Sequence, residues 1–120
     1  MMKPNDITDI NQARINAVKE YVNLHYGDEL RLSELAALAN LAPSSLCHIF
    51  KGCTGQTITD FIIGVRIQQA KDRLVNTQGM VKCIAYECGF STLTNFNRLF
   101  KRFMGCTPTE LRQQQKTLKV

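Results

Sequence analysis

The residues with the sharpest chemistry crowd one stretch, Leu93-Thr94-Asn95-Phe96-Asn97-Arg98-Leu99-Phe100-Lys101-Arg102-Phe103. On a helix, Phe96, Leu99, Phe100 and Phe103 recur at spacings of three and four. This predicts an inward apolar stripe with a core role, rather than a platform for stacking bases. Leu93, Thr94, Asn95, Asn97, Arg98, Lys101 and Arg102 then face outward. Arg98 carries a planar fork of donors that can pair bidentately with guanine O6 and N7, and Asn97 can pair with adenine N6 and N7. Leu93 or Thr94 can touch a thymine methyl. Lys101 and Arg102, with Asn95, suit phosphates, which position a protein on a duplex without reading its sequence. For each basic residue the alternative is a solvated surface charge.

A second, milder stretch runs from Pro43 to Cys53. Leu46, Ile49 and Phe50 are expected inward, leaving Pro43, Ser44, Ser45, Cys47, His48 and Lys51 outward. Serine can donate to or accept from several base edges and so discriminates weakly. His48 offers one donor or a charge, its alternative being a partly buried helix residue. Ser45 and Lys51 are phosphate candidates. Helix N-termini also bind phosphate through free N–H groups. Thr57 and Thr107, at the starts of two later helices, are candidates on that ground, with simple capping as the other reading. Arg66 is a further phosphate candidate, unless it pairs with Asp72 or Glu34.

Catalytic and metal chemistry find little support. Five cysteines occur, an odd number, at positions 47, 53, 83, 88 and 106, with no C-x-x-C pair. Free thiols in a reducing cytosol are the expectation. Cys47-His48 with Cys53 is the one cluster resembling a metal site, and it lacks a second ligand pair. No Gly-rich phosphate loop or nucleophile elbow appears. Neither an enzyme nor a cofactor is expected.

The elements that must hold these residues are helical. Three prolines occur and no stretch alternates as a strand. Ile10, Ala13, Ala17, Val18, Tyr21 and Val22 predict a first helix over about 10–26, stopped by Gly27. A short helix follows over 32–40, then a tight turn at Leu41-Ala42-Pro43 and a helix over 43–53, ended near Gly55. The longest helix, over 57–76, has two apolar stripes: Ile58, Phe61, Ile62 and Val65, and Ile63, Ile67, Ala70 and Leu74. It should be buried on two sides. Gly64 within it suggests close packing. A fifth helix is expected over 81–87, and a sixth, capped by Ser91 or Thr92, reaches Met104. Thr107-Pro108-Thr109-Glu110 reads as a capping box opening a seventh helix to about Gln115. The expected layout is a flexible segment (1–9), a first helix-turn-helix subdomain (10–55), a connector helix (56–76), a second subdomain (77–115) and a frayed tail (116–120).

The chain also repeats itself. Leu35-Ala36 and Leu41 match Ile84-Ala85 and Phe90 at an offset of 49. Leu46, Phe50-Lys51, Gly55 and Thr57 match Phe96, Phe100-Lys101, Gly105 and Thr107 at an offset of 50. Each copy is a short helix, a tight turn and a second helix with an apolar inner face. That is a helix-turn-helix, whose second helix enters the major groove. A generic tandem helical repeat is the alternative. A 20-residue connector would span about 30 Å, close to the roughly 34 Å turn of B-DNA. One chain could then carry two reading heads, and its site need not be palindromic.

The net charge is +5 over 120 residues, unevenly spread. Residues 1–60 carry five Lys/Arg against seven Asp/Glu, and residues 61–120 carry ten against three. The basic half suits a polyanion such as nucleic acid or an anionic membrane surface. No apolar run approaches the roughly 20 residues of a membrane span, and the polar start has no signal-peptide core. A cytoplasmic location without membrane insertion is expected. RNA is a poorer fit, because its major groove is too deep and narrow for a helix. A helical protein-interaction module is the alternative from another class, and an exposed apolar patch would favour it.

The C-terminal half resembles the AraC/XylS family of bacterial transcription regulators. The residues carrying this are Ile84-Ala85, Gly89-Phe90, Phe96, Arg98, Phe100-Lys101, Gly105, Thr107-Pro108 and Arg112. The N-terminal copy is similar through Leu35-Ala36, Ser44-Ser45-Leu46, Phe50-Lys51 and Gly55. The resemblance implies an all-α fold of seven helices, with two homeodomain-like helix-turn-helix bundles joined by a long central helix. It also implies binding to double-stranded promoter DNA and makes Ser44, Cys47 and His48 the base-facing positions of the first head. Members of that family bearing larger polar residues or arginine there differ from this chain. The second head is therefore expected to supply most of the affinity, and the first a softer preference. Family members usually carry a separate effector or dimerisation domain, for which this chain has no room. The DNA-binding part of a longer regulator is the expectation, and a stand-alone short regulator the alternative. Activation would need contact with RNA polymerase, and no residue identifies that surface.

Overall fold

In a computed structural model, the backbone is described from Pro4 to Leu118 and side chains from Asp9 to Lys116. It forms seven helices: α1 (Pro4–His25), α2 (Leu32–Leu38), α3 (Pro43–Thr54), α4 (Ile58–Asn76), α5 (Val81–Glu87), α6 (Leu93–Met104) and α7 (Pro108–Leu118). No strand occurs among the described residues. The all-helical expectation holds, with boundaries shifted by a residue or two except at the two ends. Helix α1 begins at Pro4 and takes in most of the segment expected to be flexible. Proline suits a first helical position. Residues 1–3 lie outside the described part. Helix α7 runs three residues past Gln115, into the tail expected to fray. Residues 119–120 lie outside the described part.

The chain divides into two compact units. The first takes the residues up to His25 together with Glu29–Ile62, and the second takes Tyr26–Asp28 and everything from Ile63 onward. Helix α4 thus gives its first residues to one unit and the rest to the other. The short loop after α1 belongs to the second unit.

In the first unit α1, α2 and α3 pack on one another. Its buried side chains are Ile15, Val18 and Val22 of α1, Leu35 and Ala36 of α2 with Ala39 just beyond, Leu46 and Phe50 of α3, and Ile58 of α4. Phe61 meets Phe50 at a ring-centroid distance of 5.5 Å. The α1 stripe is rotated from the expected one. Ile15 is fully buried, whereas Ile10 is 40% exposed and Ala13 lies on the surface. Residues 15, 18 and 22 fall on a single helical face, which the longer apolar list from the sequence straddled.

In the second unit α5, α6 and α7 surround a core that includes Ile67, Ala70 and Leu74 of α4, Ile84, Ala85 and Cys88, Phe90, Phe96, Leu99, Phe100 and Leu111. Burying each large apolar side chain contributes roughly 1.5–3 kcal/mol. Phe103, expected in this stripe, is 38% exposed. It sits in the last turn of α6, with the Arg102 guanidinium 5.6 Å from its ring centroid.

Close packing does not explain Gly64. A Cβ there would lie 3.8 Å from Cε1 of Phe103, an ordinary contact. Glycine inside a helix costs about 1 kcal/mol relative to alanine. Gly64→Ala is therefore expected to stabilise the chain by about 0.5–1 kcal/mol, raising Tm by a few degrees in calorimetry. A lower Tm would contradict this account of the position.

The two helix-turn-helix turns share one backbone pattern. The residues closing α2 and α5, Ala39 and Cys88, have φ, ψ of −88°, 0° and −86°, 4°. Next come Asn40 at φ 56° and Gly89 at φ 99°, both left-handed. Leu41 N–H then donates to the Ala36 carbonyl at 2.9 Å, and Phe90 N–H to that of Ala85 at 3.0 Å. Helices α3 and α6 also end alike. Gly55 (φ 81°, ψ −2°) and Gly105 (φ 80°, ψ −4°) adopt left-handed caps, with N–H groups bonded to the Lys51 and Lys101 carbonyls. The repeat read in the sequence is thus a repeat of structure, with the residues closing α2 and α5 and the glycines closing α3 and α6 agreeing within a few degrees.

Candidate nucleic-acid interface

Helix α6 is the more strongly built of the two candidate faces. Thr92 caps it, its hydroxyl oxygen accepting from Asn95 N–H at 3.1 Å. Such a cap typically contributes about 1 kcal/mol. With Phe96, Leu99 and Phe100 buried, the helix cannot roll about its axis without exposing them. Thr94, Asn97, Arg98, Lys101 and Arg102 are consequently held on the solvent side. Leu93 departs from expectation. At the first position of α6 it is half-buried against the core of the second unit, so much of its side chain is withdrawn from a thymine contact. Asn95 is half-buried too, and its Oδ1 accepts a hydrogen bond from Nη2 of Arg98 at 2.7 Å.

In the first unit, Pro43 opens α3, and its N-cap Ala42 has no side chain able to accept a bond. Leu46 and Phe50 are buried, and Ser44, Ser45, Cys47, His48 and Lys51 are exposed. Ser44, Cys47, His48, Lys51 and Thr57 line one open groove with Gly52, Ile58 and Thr59. The fold therefore brings these five expected residues together. Gly52 and Thr59 were missed by the sequence reading.

The two threonines at helix starts are caps. Thr57 Oγ1 accepts from Asp60 N–H at 3.1 Å. Thr107 Oγ1 accepts from Glu110 N–H at 3.1 Å, while Thr107 N–H donates to Glu110 Oε2 at 3.4 Å, the reciprocal capping box. Thr57 is exposed and Thr107 half-buried.

Arg66 is the clearest correction among the cationic candidates. Its Nε donates to the Tyr26 carbonyl at 2.7 Å and its Nη2 to the Asp28 carbonyl at 2.9 Å. These carbonyls follow α1 directly, where main-chain acceptors lack helical donors. Burial lowers the Arg66 pKa from the usual guanidinium value. The side chain is engaged in fixing the Tyr26–Asp28 loop, and its partners are carbonyls rather than Asp72 or Glu34. Arg112 does the same at the end of α4, donating to the Leu74 and Thr77 carbonyls at 3.1 Å each. Arg73 holds Glu87 at 2.8 Å and the Tyr26 hydroxyl at 2.8 Å.

The cysteines are all free. Cys88 lies in the core, where burial raises its thiol pKa, opposed in part by the charge of Arg73. Among the described residues no three His, Cys, Asp or Glu side chains gather as a metal-holding group. No helix among them is long and apolar enough to cross a membrane.

Comparison with known proteins agrees with this geometry. The family described as "Helix-turn-helix domain" matches residues 35–114, from the first repeat to the second. The chain is 31% identical over 103 residues to the Msm operon regulatory protein of Streptococcus mutans; the match takes in 86% of this chain and 37% of that regulator. A probable AraC family transcriptional regulator from Rhodopseudomonas palustris superposes with a TM-score of 0.79 at 27% identity, covering 86% of this chain and 97% of that one. The DNA-binding domain of AdpA, a global transcriptional factor solved in complex with a target DNA, shares the fold with a TM-score of 0.81 at 23% identity, over 86% and 93% of the two chains. That family consists of DNA-binding regulators rather than enzymes. With two matching turns, two glycine-closed second helices and a family match spanning both, the chain belongs to the helix-turn-helix family as an AraC-type DNA-binding domain of a transcription regulator.

Proposed function

We infer that the chain reads promoter DNA by sequence, placing α3 and α6 in successive major-groove segments, with α6 supplying most of the affinity. One observation carries this reading: Thr94, Asn97, Arg98, Lys101 and Arg102 are exposed along a helix whose opposite side is locked by Phe96, Leu99 and Phe100. Arg98 and Asn97 are the base readers, and Lys101 and Arg102 the phosphate contacts. Helix α3 adds a weaker preference through Ser44, Cys47 and His48, with Ser45 and Lys51 toward the backbone. The AdpA domain, solved with its target DNA, lends support through the shared fold. In a whole regulator, contact with RNA polymerase would turn binding into activation.

The test is selection of bound duplexes from a random-sequence pool, followed by fluorescence anisotropy across a salt series. A defined motif should emerge, and the logarithm of affinity should fall linearly with that of salt, by about 0.9 per phosphate neutralised. Failure to enrich any sequence, or affinity indifferent to salt, overturns the reading. Arg98→Ala should relax preference at one position of the site and cost about 1–3 kcal/mol there. A uniform loss over all sequences would make Arg98 a phosphate contact instead.

A further inference from the structure

Sequence reasoning grouped Asn95 with the phosphate contacts. The geometry at the start of α6 points elsewhere. Thr92 Oγ1 accepts the Asn95 N–H at 3.1 Å, and Asn95 Oδ1 accepts Arg98 Nη2 at 2.7 Å. Asn95 is half-buried while Arg98 is exposed. Two hydrogen bonds thus meet at Asn95: the cap holds its main-chain N–H, and its partly sheltered side-chain oxygen holds the tip of Arg98. Hydrogen bonds to a charged donor are shorter and roughly twice as strong as neutral ones, and 2.7 Å lies at the short end of that range.

We propose that Asn95 is a positioning residue, which fixes the Arg98 guanidinium for base reading and makes the second head the discriminating one. A guanidinium has five N–H donors, so the bond to Asn95 leaves four for a base edge. A free arginine loses much rotamer freedom when it settles on a base. A fork already held by its own helix loses less, and is held away from other orientations. The first head lacks this device. The matching positions there are Ala42, Ser45 and His48, and α3 has no side-chain cap. The proposal rests on the reading of Arg98 as a base contact.

The experiment compares the 120-residue chain with Asn95→Ala, Asn95→Asp, Arg98→Ala and the Asn95→Ala/Arg98→Ala double variant. The probes are duplexes selected from a random pool and their single-base variants. Asn95→Ala should lower discrimination at the position read by Arg98 by about threefold to tenfold, the equivalent of part of an arginine's rotamer freedom. It should leave other positions and the salt slope unchanged. Asn95→Asp retains the acceptor oxygen and should retain the preference. In the double variant, discrimination at that position should match Arg98→Ala alone. If Asn95→Ala instead weakens all sequences equally and lowers the salt slope by about one, Asn95 is a phosphate contact and the proposal is overturned. It is also overturned if Arg98→Ala erases the preference while Asn95→Ala leaves it intact, an outcome under which the base-reading role of Arg98 survives. If Arg98→Ala leaves every preference unchanged, the reading and the proposal fall together.

Discussion

Gly89→Ala is expected to destabilise the second unit by about 2–5 kcal/mol, a large part of the roughly 5–15 kcal/mol that holds a domain of this size. Two effects add. The backbone at φ 99° lies where side chains are strained, at about 1–3 kcal/mol. A Cβ would also stand 2.7 Å from both the Tyr26 carbonyl oxygen and Arg66 Nε. Arg66 is itself bonded to that carbonyl, so relieving the clash breaks the loop attachment, and the carbonyl is main chain and cannot swing aside. Urea unfolding followed by circular dichroism measures the loss. The control is Gly105→Ala, at φ 80° with nothing within 4 Å of its Cβ position, where the strain acts alone and the loss should stay near 1–2 kcal/mol. Equal losses at the two glycines would show that packing around Gly89 contributes nothing.

Phe96→Ala should cost about 3–5 kcal/mol. The ring is fully buried and lies 4.9 Å from Phe90, edge to face, and 5.5 Å from Phe100. Deleting it leaves a void between two aromatic neighbours and frees the side of α6 that holds its exposed residues in place. Affinity for selected DNA should fall with stability, and saturating DNA should recover part of the Tm, since a ligand of the native state stabilises it by mass action. Phe103→Ala, seven residues or about two helical turns beyond Phe96 and 38% exposed, should cost about 1 kcal/mol or less. A loss at Phe103 as large as at Phe96 would contradict the burial described for α6.

That contrast shows how far the sequence could be read. Phe96, Leu99, Phe100 and Phe103 share one helical spacing, and spacing alone cannot tell where the neighbouring elements stop covering a stripe. Local signals worked where the physics is local: Thr92 as a cap, the Thr107–Glu110 box, and Gly55 and Gly105 as left-handed ends. The repeat was legible because the same turn needs the same residues twice. Arg66 was misjudged because its partners, Tyr26 and Asp28, lie 40 and 38 residues away and are main-chain oxygens, to which residue type gives no clue. Gly27 was taken as a helix stop. Its larger constraint is the Glu87 carbonyl oxygen, 2.7 Å from where a Cβ would be, a distant approach of the same kind. On the candidate face the exposure of Thr94, Asn97, Arg98, Lys101 and Arg102 followed from helical period, whereas the half-burial of Leu93 depends on neighbouring elements and the link between Asn95 and Arg98 on rotamers that period does not specify.

The paired turns bear on protein engineering. Asn40 and Gly89 hold equivalent places in the two motifs, and Gly89 has the Tyr26 carbonyl and the Arg66 side chain pressed against it. The halves are therefore not interchangeable cassettes. Grafting the first motif whole into the second would carry an asparagine side chain into occupied space. A chimera that retargets the second head should keep the host turn through Phe90 and exchange only outward residues of α6. In the opposite direction the first turn should accept the glycine of the second, which adopts the left-handed backbone of Asn40 without strain.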